Sequence, residues 1–185
     1  MKKTLLATLF LIASLFMYAN AQDNANLAEP EFTGEVFLVK DGQSEGLLEK
    51  SPVQVKSKAG AGVYIVGIGS VKTRMTVAGC CSGVRFNTSD KVQFIVRAVD
   101  NKTDPTSIIR IFEFDKKKKE RRAELASSST FGGTSSNNLK LLTFTAKKFG
   151  ESSYLITPDQ LREGEFGIHI TNPNALDEKM TVVST

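Results

Sequence analysis

The feature that most constrains this chain is a polar corner, Leu161-Arg-Glu-Gly-Glu-Phe-Gly-Ile-His-Ile170, that runs straight into alternating apolar residues. Gly164 suits a bend that a side chain would obstruct. Beyond it Phe166, Ile168 and Ile170 share one face, because side chains alternate across a pleated backbone. Tyr154-Leu-Ile156 reads as the strand before the corner. A strand, corner and strand of this kind carry the chain from one layer of a sandwich to the other, with Leu161 dropped into the core at the bend.

The same period of two recurs at Val92, Phe94, Val96 and Ala98, and at Val71, Thr73, Met75 and Val77 against Lys72, Arg74 and Thr76. Between 108 and 114 both faces are apolar. Ile108, Phe112 and Phe114 take one and Ile109 and Ile111 the other, the pattern of a central strand covered from both sides. Shorter strands are expected at 36–39, 53–55, 63–66, 84–86, 139–146 and 180–183, with Pro52 marking the second of these as an edge. No window carries apolar residues at helical spacing between caps; the nearest, 117–126, is charged all round. The expected fold is all-β: an antiparallel Greek-key β-sandwich of immunoglobulin-like kind with little or no helix, a small β-barrel being the alternative.

Residues 1–21 have the three-part layout of an export signal: Lys2 and Lys3, an uncharged apolar run over 5–18, then Ala19-Asn-Ala21 before Gln22. The run is shorter than the roughly 17–25 residues that span a bilayer, so it reads as a cleaved signal and leaves no transmembrane segment in the mature chain. Residues 22–31, polar and ending near Pro30, are expected to be a flexible leader. A single β-sandwich domain over 32–185 follows, with 100–105 as the one place it could subdivide. The formal charge of +4 falls to +2 once Lys2 and Lys3 leave, so net charge names no partner and gives no reason to expect nucleic acid. The expected location is periplasmic, outer-surface or extracellular.

The export signal, the 108–114 strand running into Lys and Arg, the Tyr154 strand and the Gly164-Glu-Phe166 corner together resemble an uncharacterised family of small exported Bacteroidetes β-proteins. The likeness covers residues 108–166. It implies location and a β-sandwich fold, and it implies no activity. Such proteins often carry Tyr at the corner, where this chain has Phe166, so the corner hydroxyl bond of immunoglobulin-like domains is not expected from that position.

Chemistry-bearing motifs are few. Gly42-Gln-Ser-Glu-Gly46 spells a nucleophile elbow, and His169 lies downstream as in a hydrolase. An elbow nevertheless needs a strand before Ser44 and a helix after it, and Pro52 cuts that helix off. His169, the only histidine, alternates with Ile168 and Ile170 and is expected to face solvent or a loop. Glu163 and Glu165, two apart, share a face with no apolar pocket to separate their acidities. Cys80 and Cys81 are adjacent; two small buried or loop thiols are expected, with a vicinal bridge or an intermolecular bond as the alternatives. No metal or cofactor site is expected.

The basic tract Lys116, Lys117, Lys118, Lys119, Arg121 and Arg122 carries the one binding reading. It is a solvated hairpin end whose lysines deter edge pairing, or a polyanion contact with the Ser/Gly stretch at 126–138, expected to be a long mobile loop, folding over it. The expected function is a non-enzymatic binding or structural module whose partner is a polysaccharide, an anionic surface or a protein. A small secreted hydrolase or carbohydrate-active protein is the alternative.

Overall fold

Residues 27–172 and 182–185 are described in the computed structural model. The export signal read from 1–21 lies outside that range, as do Pro173 and Met180. In chain order the elements are β1 (Val36–Lys40), β2 (Gln43–Leu47), β3 (Lys50–Ala59), the short helix α1 (Ala61–Val66), β4 (Ser70–Ala78) and β5 (Val92–Arg97). A single turn α2 (Pro105–Ile108) leads into β6 (Ile109–Lys116), β7 (Glu120–Ser129), β8 (Gly133–Ser136), β9 (Lys140–Leu142) and β10 (Phe144–Phe149). β11 (Ser153–Pro158), β12 (Glu165–Ile170) and β13 (Val182–Ser184) complete the described chain.

These strands form two antiparallel sheets packed face to face, a β-sandwich. The first has the order β10-β11-β5-β1-β2 and the second β8-β7-β4-β3-β13-β12-β6-β9. The second sheet also curls until β6 and β7 meet at Asp115–Arg122 and Lys116–Arg121. As the corner motif implied, the 159–164 bend carries the chain from β11 in the first sheet to β12 in the second.

The alternation sorts side chains into three apolar clusters. Val92, Phe94 and Val96 of β5 and Tyr154 and Ile156 of β11 face across the sandwich onto Ile109, Ile111 and Ile168, with Leu161 packed alongside. Met75, Val77, Phe112, Phe114, Ala123 and Val183 fill the curl of the second sheet. Val39, Ile95 and Leu155 lie on the outer face of the first sheet. β6 is therefore covered on both sides as expected, except that Ile108 packs with Ile109 and Ile111. It belongs to the α2 turn, so the period of two does not yet apply to it.

Strands from either side of residue 100 contribute to the sandwich cluster. Tyr154 is buried in it, and its hydroxyl donates to the carbonyl of Thr103, anchoring the 100–105 connection. Burial first, then Asp100 and Asp104, hold the Tyr154 phenol above its ordinary range.

Three expectations change for identifiable reasons. Residues 63–66, expected as strand, belong to α1, which Gly67 ends in the left-handed conformation (φ 70°). A Cβ on Gly62 would stand 2.5 Å from the Ile68 carbonyl oxygen, so the close return of this turn requires glycine there. The 139–146 strand breaks at Thr143, where the chain leaves the second sheet as β9 and joins the first as β10. Of the flexible leader expected over 22–31, residues 22–26 lie outside the described range, and 27–31 are held against the body. Leu27 packs on the outer cluster, and Glu29 accepts from the amides of Glu151 and Ser152, both at 3.0 Å.

Candidate functional site

Four pieces of chain converge at one end of the β4–β7 ladder: the 79–83 loop, the 84–86 strap, the 116–119 hairpin tip and the start of β12. β4 ends at Ala78, and Gly79 (φ 84°) turns the chain while its N–H donates to the carbonyl of Lys119 at 3.0 Å. That bond ties the loop to the lysine tip. Cys80 and Cys81 are joined by a disulfide, so the expectation of two separate thiols is corrected to the vicinal bridge.

Glu165 is the centre of the arrangement. It opens β12 on the face opposite Ile168, which turns it towards the interior of the second sheet, where it is only 4% exposed. Its Oε2 accepts from the amide of Ser82 at 2.9 Å, and its Oε1 accepts from Arg85 Nη1 at 2.7 Å. Arg121 Nη1 lies 4.0 Å from Oε2. The Arg121 guanidinium, 2% exposed, stands over the Phe114 ring at 5.9 Å from its centroid, and its Nε and Nη1 have no hydrogen-bond partner. Burial lowers the Arg121 pKa, against the charges of Glu165 and Glu49, but guanidinium starts so high that it stays charged. Glu49 accepts from the amide of Gly83 at 3.3 Å, so two carboxylates brace this one loop.

Beside this ion pair the two sheets part into a cleft of about 320 Å³. Leu48, Phe86, Phe94, Leu161 and Ile168 give it apolar walls, and Arg85 and Glu165 charge one side. An apolar cavity with one convergent polar group is the usual form of a small-ligand site. A wider trough of about 1260 Å³ shares Thr88, Leu161 and Arg162 with the cleft and runs past Gln93, Thr145, Lys147 and Thr157. Its lining is mostly polar, and Gln93 already donates to Thr157 Oγ1 at 2.9 Å.

The expected polyanion contact is redistributed. Lys116, Lys117, Lys118 and Lys119 stand exposed on the hairpin tip, and none forms an ion pair among the described residues. Arg121 is withdrawn from that contact because it alternates inward on β7, and Arg122 donates to Glu120. The Ser/Gly stretch cannot fold over the tip. Residues up to Ser129 continue β7, which carries the stretch to the opposite end, where it turns into β8.

The other candidates separate. Glu163 lies exposed in the bend before β12 while Glu165 is buried on the strand, so the shared face expected from their spacing does not form. His169 is buried at 8% exposure with Nδ1 3.4 Å from the Val182 carbonyl oxygen, which corrects the expectation that it faces solvent. The side chains of Glu165 and His169 both turn into the curl of the second sheet, where they are buried. Ser44 lies exposed on β2 of the first sheet, so the fold does not bring it to His169 in the second. Among the described residues no three His, Cys, Asp or Glu side chains are grouped to hold a metal ion. Sequence reasoning missed Arg85 and Glu49, whose partners lie 80 and 34 positions away.

Comparison with family models, curated proteins and solved structures gives no match in any of the three.

Proposed function

We propose that the chain is an exported, non-enzymatic binding module of the periplasm or cell surface, and that it binds an acidic polysaccharide at the Lys116–Lys119 end. The observation that carries this reading is the exposed lysine tip itself. Four cations without ion-pair partners among the described residues are held by a backbone bond against a loop that Glu165 and Glu49 brace from behind. Arg85 and Arg121 are matched by Glu165 and Glu49, so the surplus positive charge at this end comes from the lysines. An extended anion gathers such point charges by long-range attraction, and salt weakens the attraction. The cleft behind Arg85 then offers apolar walls to a substituent of the polymer. The resemblance to exported Bacteroidetes β-proteins supports the location.

Titration with alginate at low and at physiological salt tests this. Binding is expected at low salt, falling as salt rises and falling again when Lys116, Lys117, Lys118 and Lys119 are replaced by Ser. No binding at low salt, or binding indifferent to both changes, defeats the reading.

A further inference from the structure

The far end of the same ladder is apolar on its outside. β3, α1 and β4 make one hairpin unit and β7 and β8 another, and their tips are joined. Thr130 N donates to the Gly69 carbonyl at 3.0 Å, and Gly69 N donates to Thr130 Oγ1 at 3.1 Å. On this double tip Tyr64 is 78% exposed, Ile65 79% and Phe131 85%, with Val66 and Ile68 exposed beside them. α1 buries none of its residues, so the folding of this chain does not account for its apolar side chains.

Charge is arranged as sharply. No charged residue stands between Lys58 and Lys72, nor between Glu124 and Lys140, so both tips are wholly uncharged. The first charges behind them are Lys58 and Lys72 on one hairpin and Glu124 and Lys140 about the other, a net positive set. Lys56 and Lys58 are exposed on β3 with no carboxylate partner among the described residues, and Lys72 on β4 pairs with Glu124. From the tip inward the surface is thus apolar and aromatic first, then positive. Contiguous exposed apolar surface marks an interaction site, and apolar side chains backed by cations are what the boundary of an anionic bilayer accommodates.

We propose that this double tip inserts into the headgroup boundary of an anionic lipid bilayer, with Tyr64, Ile65 and Phe131 buried among the acyl chains and Lys56 and Lys58 against lipid phosphates. No membrane-crossing helix is needed for such docking, and among the described residues no helix is long and apolar enough to be one. The cationic collar favours lipid over a protein groove, since an apolar groove alone would leave those lysines unmatched. At about 3.3 Å per residue, β4 holds the lysine tip roughly 30 Å from the inserted end, well beyond a Debye length of about 8 Å. The two contacts are therefore independent.

The test is sedimentation of the chain from Gln22 onward with phosphatidylcholine vesicles, with and without phosphatidylglycerol. Capture is expected with phosphatidylglycerol, falling about tenfold or more in an Ile65→Ser/Phe131→Ser double variant and severalfold in Lys56→Ser/Lys58→Ser or at high salt. The chain has no tryptophan, so Phe131→Trp supplies a single reporter whose emission should shift to the blue on the same vesicles. Circular dichroism of each variant checks that the sandwich is intact. Failure of the parent chain to sediment at low salt, or equal capture of parent and double variant, overturns the proposal. So does a parent dimer that the double variant dissolves while vesicles capture neither, because the tip would then be a self-association surface.

Discussion

At one end of the β4–β7 ladder a carboxylate and a guanidinium are buried; at the other, Tyr64, Ile65 and Phe131 stand in solvent. The same three strands, β3, β4 and β7, reach both ends. The buried charges are held by a network in which each partner limits the movement of the others, so removing one strands the rest. The exposed apolar side chains touch little of the protein, so removing them changes only what lies outside it. The contrast separates a region whose chemistry is bound up with stability from one whose chemistry is free to serve contact.

The strongest way to break that comparison is Glu165→Ala. It leaves Arg121 charged and buried without its partner, and chemical denaturation should show a loss of about 3–5 kcal/mol. Replacing the pair together, Glu165→Leu with Arg121→Met, which keeps an apolar stem over Phe114 and removes both buried charges, should be neutral or stabilising by about 1 kcal/mol or more. If both variants were equally destabilised, the pair would matter for its volume and not for its charge. Next in size is Gly167→Ala. Its Cβ would stand 2.7 Å from Phe114 Cε2 and 3.0 Å from Phe112 Cζ in a filled interior, costing about 1–3 kcal/mol of unfolding free energy.

Replacing Cys80 and Cys81 by Ala should cost about 1 kcal/mol or less, because a bridge between adjacent residues closes almost no loop in the unfolded chain. A larger loss in the denaturation midpoint would mean that the bridge packs the 79–83 loop against Glu165. The smallest effect is expected at the other end. Ile65→Ser and Phe131→Ser should each leave stability within about 0.5 kcal/mol of the parent while vesicle capture falls. If either lowered the midpoint as far as Gly167→Ala, the tip would be part of the fold and the contrast between the ends would disappear.

The alternation at Val92–Ala98, the double-faced pattern at 109–114 and the corner at 161–170 were legible because each depends only on neighbours along the chain. Two residues apart on a strand means the same face wherever that strand goes. Ile108 and residues 63–66 were misread because short apolar runs look alike in a turn, a helix and a strand until the connection they must make is known. The candidate site was legible only in pieces. Glu165 and the basic tract could be singled out, but that Arg121 turns inward beside Glu165 follows from the curl that brings β6 to β7, a closure no local pattern encodes.

By itself the sequence determined which residues alternate, where the chain must bend, and that 59–71 and 125–139 carry no charge. Only the tertiary structure decided that those stretches become one exposed tip, that Arg85 and Arg121 meet a single carboxylate, and that His169 is enclosed. Periodicity fixes a side chain's direction relative to its own strand. Which strand lies opposite, and whether the space between them is dry, is set by pairings between residues dozens of positions apart.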